Sequence, residues 1–514
     1  MENRGERAKK NSIVVMIFTF ISRVVGIFKA RVIATVFGAT VVGDLLNFTF
    51  NIPNNFRKLF AEGALSSAYI PRFSTLIAED ESGERSKGLL KVMNAFQLLI
   101  ALLLIGGVLL FGSQFIRFIS DYSDPSLVNL AAKLLFFFTI FLSAISFAAL
   151  WSGVLQSHGS FLVAAAAPLL FSLAIIGAVK VTEGLLGPFS MALGVVVGGV
   201  LQALVVWLAL RRHSYKLRLS FNFKNSDFLA VLKAWLPVTL IALTTILTQQ
   251  VSYFFASALP EGSVTALSNA IIIWQAPYGI FYGAIATVYF PLIASAPRDE
   301  VKTVISKGLA YLVVFLVPVT ITLVTLRNET VAVLLQSGLF KLKDTLLTGS
   351  ILLYFALGIP LVSWYSFLQR GCYSLGKYRA ALYFNLTVAA IDILAMVTLI
   401  KWVGWGVWAL SLANTIAFGV GALLLSIYLA LNNFFKVDKE VLKVVLANLP
   451  LLAVALLYSR LADPAWWHGG SSWGNVLKLT LLYGGAVLLT LVIYLLMGIK
   501  VLPSRRRGPQ STRH

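Results

Sequence analysis

Seven ionisable residues stand in a stretch otherwise apolar enough to cross a membrane twice. Arg23, Lys29 and Arg31 lie in IFTFISRVVGIFKARVIATVFG; Asp44, Arg57, Lys58 and Glu62 lie in DLLNFTFNIPNNFRKLFAEGALSSAYIPR. Charge inside a spanning segment costs several kcal/mol unless it faces a partner or a water-filled cavity. Two acids set against at least four bases leave a cationic surplus, and a surplus of that kind in a membrane calls for an anion. Arginine suits a phosphate or pyrophosphate, because its planar fork donates two parallel hydrogen bonds. The chemistry is therefore binding. The competing reading is internal pairing, with Asp44 neutralising Arg23 or Lys29 and Glu62 taking Lys58, which would hold helices together without a ligand.

These residues must be positioned by helices. At about 100° per residue, Ser22, Gly26 and Lys29 share one face of the first helix, while Arg31 points nearly opposite. On the second, Asp44, Asn47, Asn51, Asn55, Lys58 and Glu62 form a polar stripe flanked by Asn54, and Arg57 falls off it. The wheel prefers Lys58 to Arg57 as the cavity base. Pro53 breaks the hydrogen-bond ladder, so a kink leaves that choice open.

The rest of the 514 residues is wall for such a cavity. The chain is 58% hydrophobic and 12% charged with mean hydropathy +0.85, and a soluble chain has roughly twice that charged fraction. Apolar runs of about 20 residues recur without the alternation of barrel strands, which specifies an all-α polytopic membrane protein. Fourteen spans are expected near 13–36, 43–75, 90–117, 127–156, 161–181, 188–210, 227–257, 266–295, 304–326, 346–375, 380–401, 405–431, 441–460 and 475–498. Between them, 327–345 reads as a short re-entrant or interfacial helix.

The net charge of +21 is spread over short loops, the pattern of membrane orientation rather than of nucleic-acid binding. With the N-terminus inside, the inner loops hold roughly 25 basic residues and the outer loops about 7. Both termini are expected in the cytoplasm, with RRHSYKLRL (211–219) and the tail 503–514 supplying much of the inner charge. One cysteine, Cys372, and four scattered histidines exclude an internal disulfide and a metal site. No nucleotide-binding glycine loop, H-E-x-x-H or serine elbow is present, so no enzyme is expected.

The chain repeats itself. GATVVGDLLNFTFNIP (38–53) superposes on GSVTALSNAIIIWQAP (262–277) without a gap, and LQSHGSF (155–161) resembles YSLGKY (373–378). Both offsets are about six spans, so a parallel six-plus-six duplication with two further spans follows. The expected division is a cationic N-terminal lobe, 1–222, a second lobe, 223–437, and a last pair with a basic tail, 438–514. The second lobe is polar but uncharged where the first is cationic, with Gln249 and Gln275 as its cavity candidates. Its one deep acid is Asp392, with Asn385 and Thr387 nearby. This is either a ligand set for a coupling ion or a hydrogen-bonded aspartate at a helix interface.

SRVVGIFKARVIATVFGAT and the following DLLNFTFNIPNNFRKLFAEGALSSAYIP resemble the opening of the MurJ (MviN) lipid II flippases. VGGVLQ (197–202) and APYGIF…YFP of span 8 are similar too. The resemblance implies the fold of the multidrug/oligosaccharidyl-lipid/polysaccharide exporter superfamily: two pseudo-symmetric six-helix lobes in a MATE-like V, and two last helices forming a groove for a polyprenyl tail. It implies lipid II as cargo, carried from the inner to the outer leaflet of the bacterial cytoplasmic membrane by alternating access. Arg23, Lys29, Asp44, Asn54 and Arg57 match family positions, as do Ser22 and Glu62, so here Arg57 is favoured over Lys58. Arg23, Lys29 and Arg57 or Lys58 would grip the pyrophosphate, and Asp44 and Glu62 would pair and tune those bases. Asn51, Asn54, Gln249 and Gln275 would meet sugar and peptide. One departure stands out: the helix-8 positions where the family carries an acid and an arginine are Ile271 and Ile272.

The resemblance implies no cofactor. Its partners would be lipid II, membrane lipids and the cell-wall synthesis machinery, with no nucleic acid. The energy source is not legible in the sequence: a cationic cavity could respond to the membrane potential, or Asp392 could bind a monovalent ion. The alternatives are a flippase of another polyprenyl-pyrophosphate oligosaccharide, of O-antigen type, or a MATE-type antiporter. An antiporter of cationic drugs should present an acidic cavity, and this one is basic.

Overall fold

The computed structural model describes residues 2–60, 64–80, 82–463, 467, 469–470 and 472–499, and every regular element among them is helical. The order begins α1 (Glu2–Phe37), α2 (Val41–Phe60), α3 (Ala64–Glu79), α4 (Glu84–Ile119), α5 (Pro125–Ser157), α6 (Leu162–Leu186), α7 (Phe189–Arg211) and α8 (Ser226–Ser257). It continues with α9 (Ser263–Pro277), a π-helical turn (Tyr278–Tyr282), α10 (Gly283–Ser295), α11 (Val301–Thr325), α12 (Arg327–Leu335), α13 (Leu342–Ser374) and α14 (Tyr378–Val397). It closes with α15 (Trp408–Leu431), α16 (Lys439–Ala447), α17 (Leu449–Leu461) and α18 (Trp473–Leu496).

Boundaries follow local chemistry. Asp124 caps α5 by accepting from the Ser126 amide, with Pro125 in the first turn, and Asn225 caps α8 by accepting from the Phe228 amide. Twelve helical segments among the described residues are long and apolar enough to span a membrane. The two expected spans missing from that dozen are the first two, whose helices α1 and α2 carry Arg23, Lys29, Arg31, Asp44, Arg57 and Lys58. The expected short helix in 327–345 is α12.

α2 runs as one helix through Pro53 to Phe60. Pro277 closes α9, and the π-turn after it divides span 8. The repeat is visible in the backbone. Gly38 and Gly262 both have positive φ, 59° and 92°, and so do Gly159 and Gly376, 75° and 70°. Matched turns thus adopt the left-handed conformation that glycine permits.

The described chain forms two compact units. One is Met1–Asn269 with Leu334–Thr348 and Met396–Leu410. Its core packs Leu46 of α2 against Phe138, Phe141 and Ile145 of α5 and Val195 of α7. The other is Ala270–Val333 with Gly349–Ala395 and Ser411–His514. There Tyr494 of α18 donates to the Val314 carbonyl of α11 at 2.9 Å and accepts from the Asn448 amide at 2.8 Å, tying the last helices to α11.

Candidate functional site

The polar stripe of α2 divides into two halves with different partners. In its first half, buried Asp44 accepts from the Gly262 amide at 2.7 Å with one oxygen and from the Thr265 amide at 2.8 Å with the other. The carboxylate therefore caps the N-terminus of α9, where unpaired amides and the helix dipole favour a negative charge. This corrects the expectation that Asp44 pairs with a base of α1 or α2. One turn on, the Asn47 amide donates to Thr265 Oγ1 at 3.3 Å. A further turn on, the Asn51 amide donates to Ser268 Oγ at 2.9 Å, and that hydroxyl lies 3.1 Å from the Tyr253 hydroxyl. Asn51, expected to meet cargo, is a rung of this ladder.

Two further turns join the same end. The Val41 amide donates to Glu261 Oε1 at 3.0 Å, and the Leu339 amide donates to the Thr35 carbonyl at 2.9 Å. Gly338 has φ of 58°, and a Cβ there would run into that Thr35 carbonyl. The α1–α2, α8–α9 and α12–α13 turns are thus latched together through backbone groups.

The second half of α2 holds the cations. Arg57 Nε donates to Asn54 Oδ1 at 3.3 Å. The Lys29 ammonium sits over the Phe171 ring, 5.1 Å from its centroid, and 6.0 Å from that of Phe50. Aromatic faces supply partial compensation for a cation removed from water. Lys58 turns elsewhere, donating to Asn55 at 3.2 Å and to Gln249 of α8 at 3.3 Å. So Lys58, which the wheel preferred, reaches across to α8, while Arg57 holds Asn54 on its own helix. Gln249, expected to meet cargo, accepts from Lys58 instead.

Arg23 is exposed and makes no hydrogen bond or ion pair among the described residues, and Ser22 is half-buried. Glu62 lies outside the described residues. Gln275 and Ile272 are exposed and belong to the second unit. The expected ion set is not brought together. Asp392 is buried, with Oδ2 accepting from the Asn414 amide at 2.9 Å and Oδ1 without a hydrogen-bond partner. Thr387 is exposed and donates to its own helix at the Tyr383 carbonyl, and Asn385 accepts from Gln369 at 3.5 Å.

Sequence reasoning missed Thr265, Ser268 and Gly262, whose partners stand more than 200 residues away, as in the 218-residue separation from Asp44 to Gly262. It also missed Asp227, which is gripped by Arg72 of α3 and by Arg85 of α4, the latter at 3.0 Å. Within the second unit, α11 and α18 line an apolar cavity of about 250 Å³ with Phe281, Pro318, Tyr483 and Leu491 on its walls. A second cavity of about 220 Å³ between α11, α17 and α18 shares Thr322 and Ala486 with it. The two form one groove with almost no polar lining.

The family model described as Lipid II flippase MurJ matches residues 33–473, a range that takes in the latch, Arg57 and Asp392. The chain belongs to the MurJ lipid II flippase family. A probable lipid II flippase MurJ of Borreliella burgdorferi is 29% identical, over 96% of this chain and 97% of its own. One from Vibrio cholerae is 26% identical, over 97% of both. A solved lipid II flippase MurJ in an inward closed conformation shares the fold, at TM-score 0.79 and 24% identity, over 95% of this chain and 98% of that one. An inward-facing MATE family multidrug resistance transporter of the MOP superfamily follows at TM-score 0.65 and 14% identity, over 82% and 98%. The family is the one that the resemblance named, and both solved structures share the all-helical fold.

Proposed function

We propose that this protein carries lipid II from the inner to the outer leaflet of the bacterial cytoplasmic membrane, with both termini in the cytoplasm. The observation that carries the reading is the cationic surplus of α1 and α2, with Lys29 over the Phe171 ring and Arg57 on Asn54. A pyrophosphate offers oxygens to both bases. Arg23, one and a half turns before Lys29 on α1, is the base that would meet the headgroup earlier on its path. Carrying the pyrophosphate past these groups avoids the cost of dragging charge through hydrocarbon. The apolar groove of α11, α17 and α18 fits a polyprenyl tail, because it offers almost no polar atoms to a hydrocarbon chain.

In this orientation the latch at Asp44 faces outward and holds the outer end shut. Release requires the α9 N-terminus to give up its carboxylate cap, which makes Asp44 a positioning residue for the cycle rather than a cargo ligand. The membrane potential acts on the cations of α1 and α2 with about 2.3 kcal/mol per charge per 100 mV. Asp392 supports a second energy source, because its unpartnered Oδ1 is a place for a proton or a monovalent cation.

Cells depleted of their own flippase test the function. Expression of this chain is expected to restore lipid II at the outer face, and Arg57→Ala at matched membrane level is expected not to. No restoration by the well-inserted native chain would overturn the cargo. Restoration by Arg57→Ala, Lys29→Ala and Arg23→Ala alike would overturn the site.

A further inference from the structure

A cleft between the first turns of α4 and segment 214–218 is lined by Lys87, Lys91, Lys216 and Arg218, with Ser214 and Glu84, and encloses about 200 Å³. Glu84 is its one acid and is engaged with Lys87 at 3.0 Å. Lys91, Lys216 and Arg218 have no ion pair among the described residues. Three bases gathered around one cavity repel one another, and an anion in the cavity relieves that repulsion.

The bases are held in place by backbone. The Ser220 amide donates to the Lys91 carbonyl at 3.1 Å, and the Asn94 amide donates to the Arg218 carbonyl at 3.3 Å. Tyr215 is buried, its hydroxyl 3.3 Å from Ser86 Oγ and 3.0 Å from His158 Nε2. Segment 215–220 is thereby fixed along α4, which sets Lys216 and Arg218 beside Lys87 and Lys91.

A second observation identifies the kind of anion. Leu217, Leu219 and Phe221 are 54%, 45% and 64% exposed and alternate with Lys216, Arg218 and Ser220. Exposed apolar side chains interleaved with bases suit the boundary between headgroups and acyl chains, where a soluble anion would leave the apolar residues in water. We propose that this cleft binds the phosphate headgroup of an anionic membrane phospholipid, with Leu217, Leu219 and Phe221 among its acyl chains. Basic pockets at the ends of spanning helices recognise such headgroups. The inference is independent of the cargo, because none of these residues belongs to the α1–α2 cluster.

The test titrates the purified full chain in neutral detergent with phosphatidylglycerol and counts bound lipid by native mass spectrometry. Phosphatidylcholine serves as the uncharged comparison and inorganic phosphate as the soluble competitor. The native chain is expected to hold one phosphatidylglycerol ahead of the rest. Lys91→Gln/Lys216→Gln/Arg218→Gln is expected to weaken that site about a hundredfold, at a factor of about five per base. Leu217→Ser/Phe221→Ser keeps every charge and is expected to weaken it about tenfold. Inorganic phosphate in excess is expected not to displace the lipid. Equal binding of phosphatidylcholine, unchanged affinity in the triple variant, or full affinity in the serine variant overturns the proposal. Displacement by phosphate also overturns it and gives the cleft to a soluble anion. If the triple variant fails to fold, the serine variant and the phosphate competition still decide.

Discussion

The two halves of α2 look alike in sequence and do different work. Both present asparagines and charge at helical spacing. The first half, through Asp44, Asn47 and Asn51, spends its polar groups on α9. The second half sends Arg57 to Asn54 and Lys58 to Gln249. A polar stripe within a membrane helix is thus not one cavity wall. An acid aimed at a helix N-terminus is satisfied by backbone amides, whereas the bases of the second half hold side-chain oxygens, Asn54 for Arg57 and Gln249 for Lys58.

If the halves are as different as this, separate substitutions should separate binding from cycling. The largest effect is expected from Arg57→Ala or Lys29→Ala, which should lower lipid II retention by the purified protein about a hundredfold, the scale of a lost charge-assisted contact. Asp44→Asn should leave that retention within about threefold; a large loss there would make Asp44 a cargo ligand and erase the distinction.

The next effect reads the latch. Asp44→Asn removes the charge and one acceptor from the α9 N-terminus, at about 1–3 kcal/mol. Labelling of an introduced Thr40→Cys by an impermeant maleimide from outside should rise about tenfold, and buried Cys372 leaves little background. Arg57→Ala should leave the labelling unchanged, and an equal rise would show that the halves act as one.

A smaller effect is expected in the second unit. Asp392→Asn should slow flipping severalfold and remove any dependence on proton or monovalent-cation gradients, while Thr387→Ala should change neither. Gradient dependence that survives Asp392→Asn would leave the membrane potential as the driving force. The smallest effect belongs to the last rung. Asn51→Leu should raise Thr40→Cys labelling only about twofold to fivefold, because one neutral hydrogen bond contributes about 1 kcal/mol. An effect as large as that of Asp44→Asn would show that Asn51 also meets cargo.

The spans were legible because twenty apolar residues leave the chain few options in a bilayer. The repeat was legible because Gly38 and Gly262, and Gly159 and Gly376, mark the same left-handed turns. The cationic surplus of the first two helices was legible, because charge in an apolar run is costly wherever the run goes. The contact of Lys58 with Gln249 was not legible, because an ideal helix says which residues share a face but not which neighbour that face meets. The ion set of Asp392, Asn385 and Thr387 failed similarly: nearness along one helix put Thr387 on the exposed side and Asp392 in the interior.

By itself, then, the sequence determined a helical membrane protein, its spans, its internal duplication and the stretch that carries the charge, since these follow from hydropathy and period along a single chain. Only the tertiary structure decided that Asp44 caps α9, that Lys58 meets Gln249, and that Asn51 is held by Ser268. Those assignments depend on partners about 200 residues away or on other helices, and no local pattern encodes which helix arrives to meet a given face.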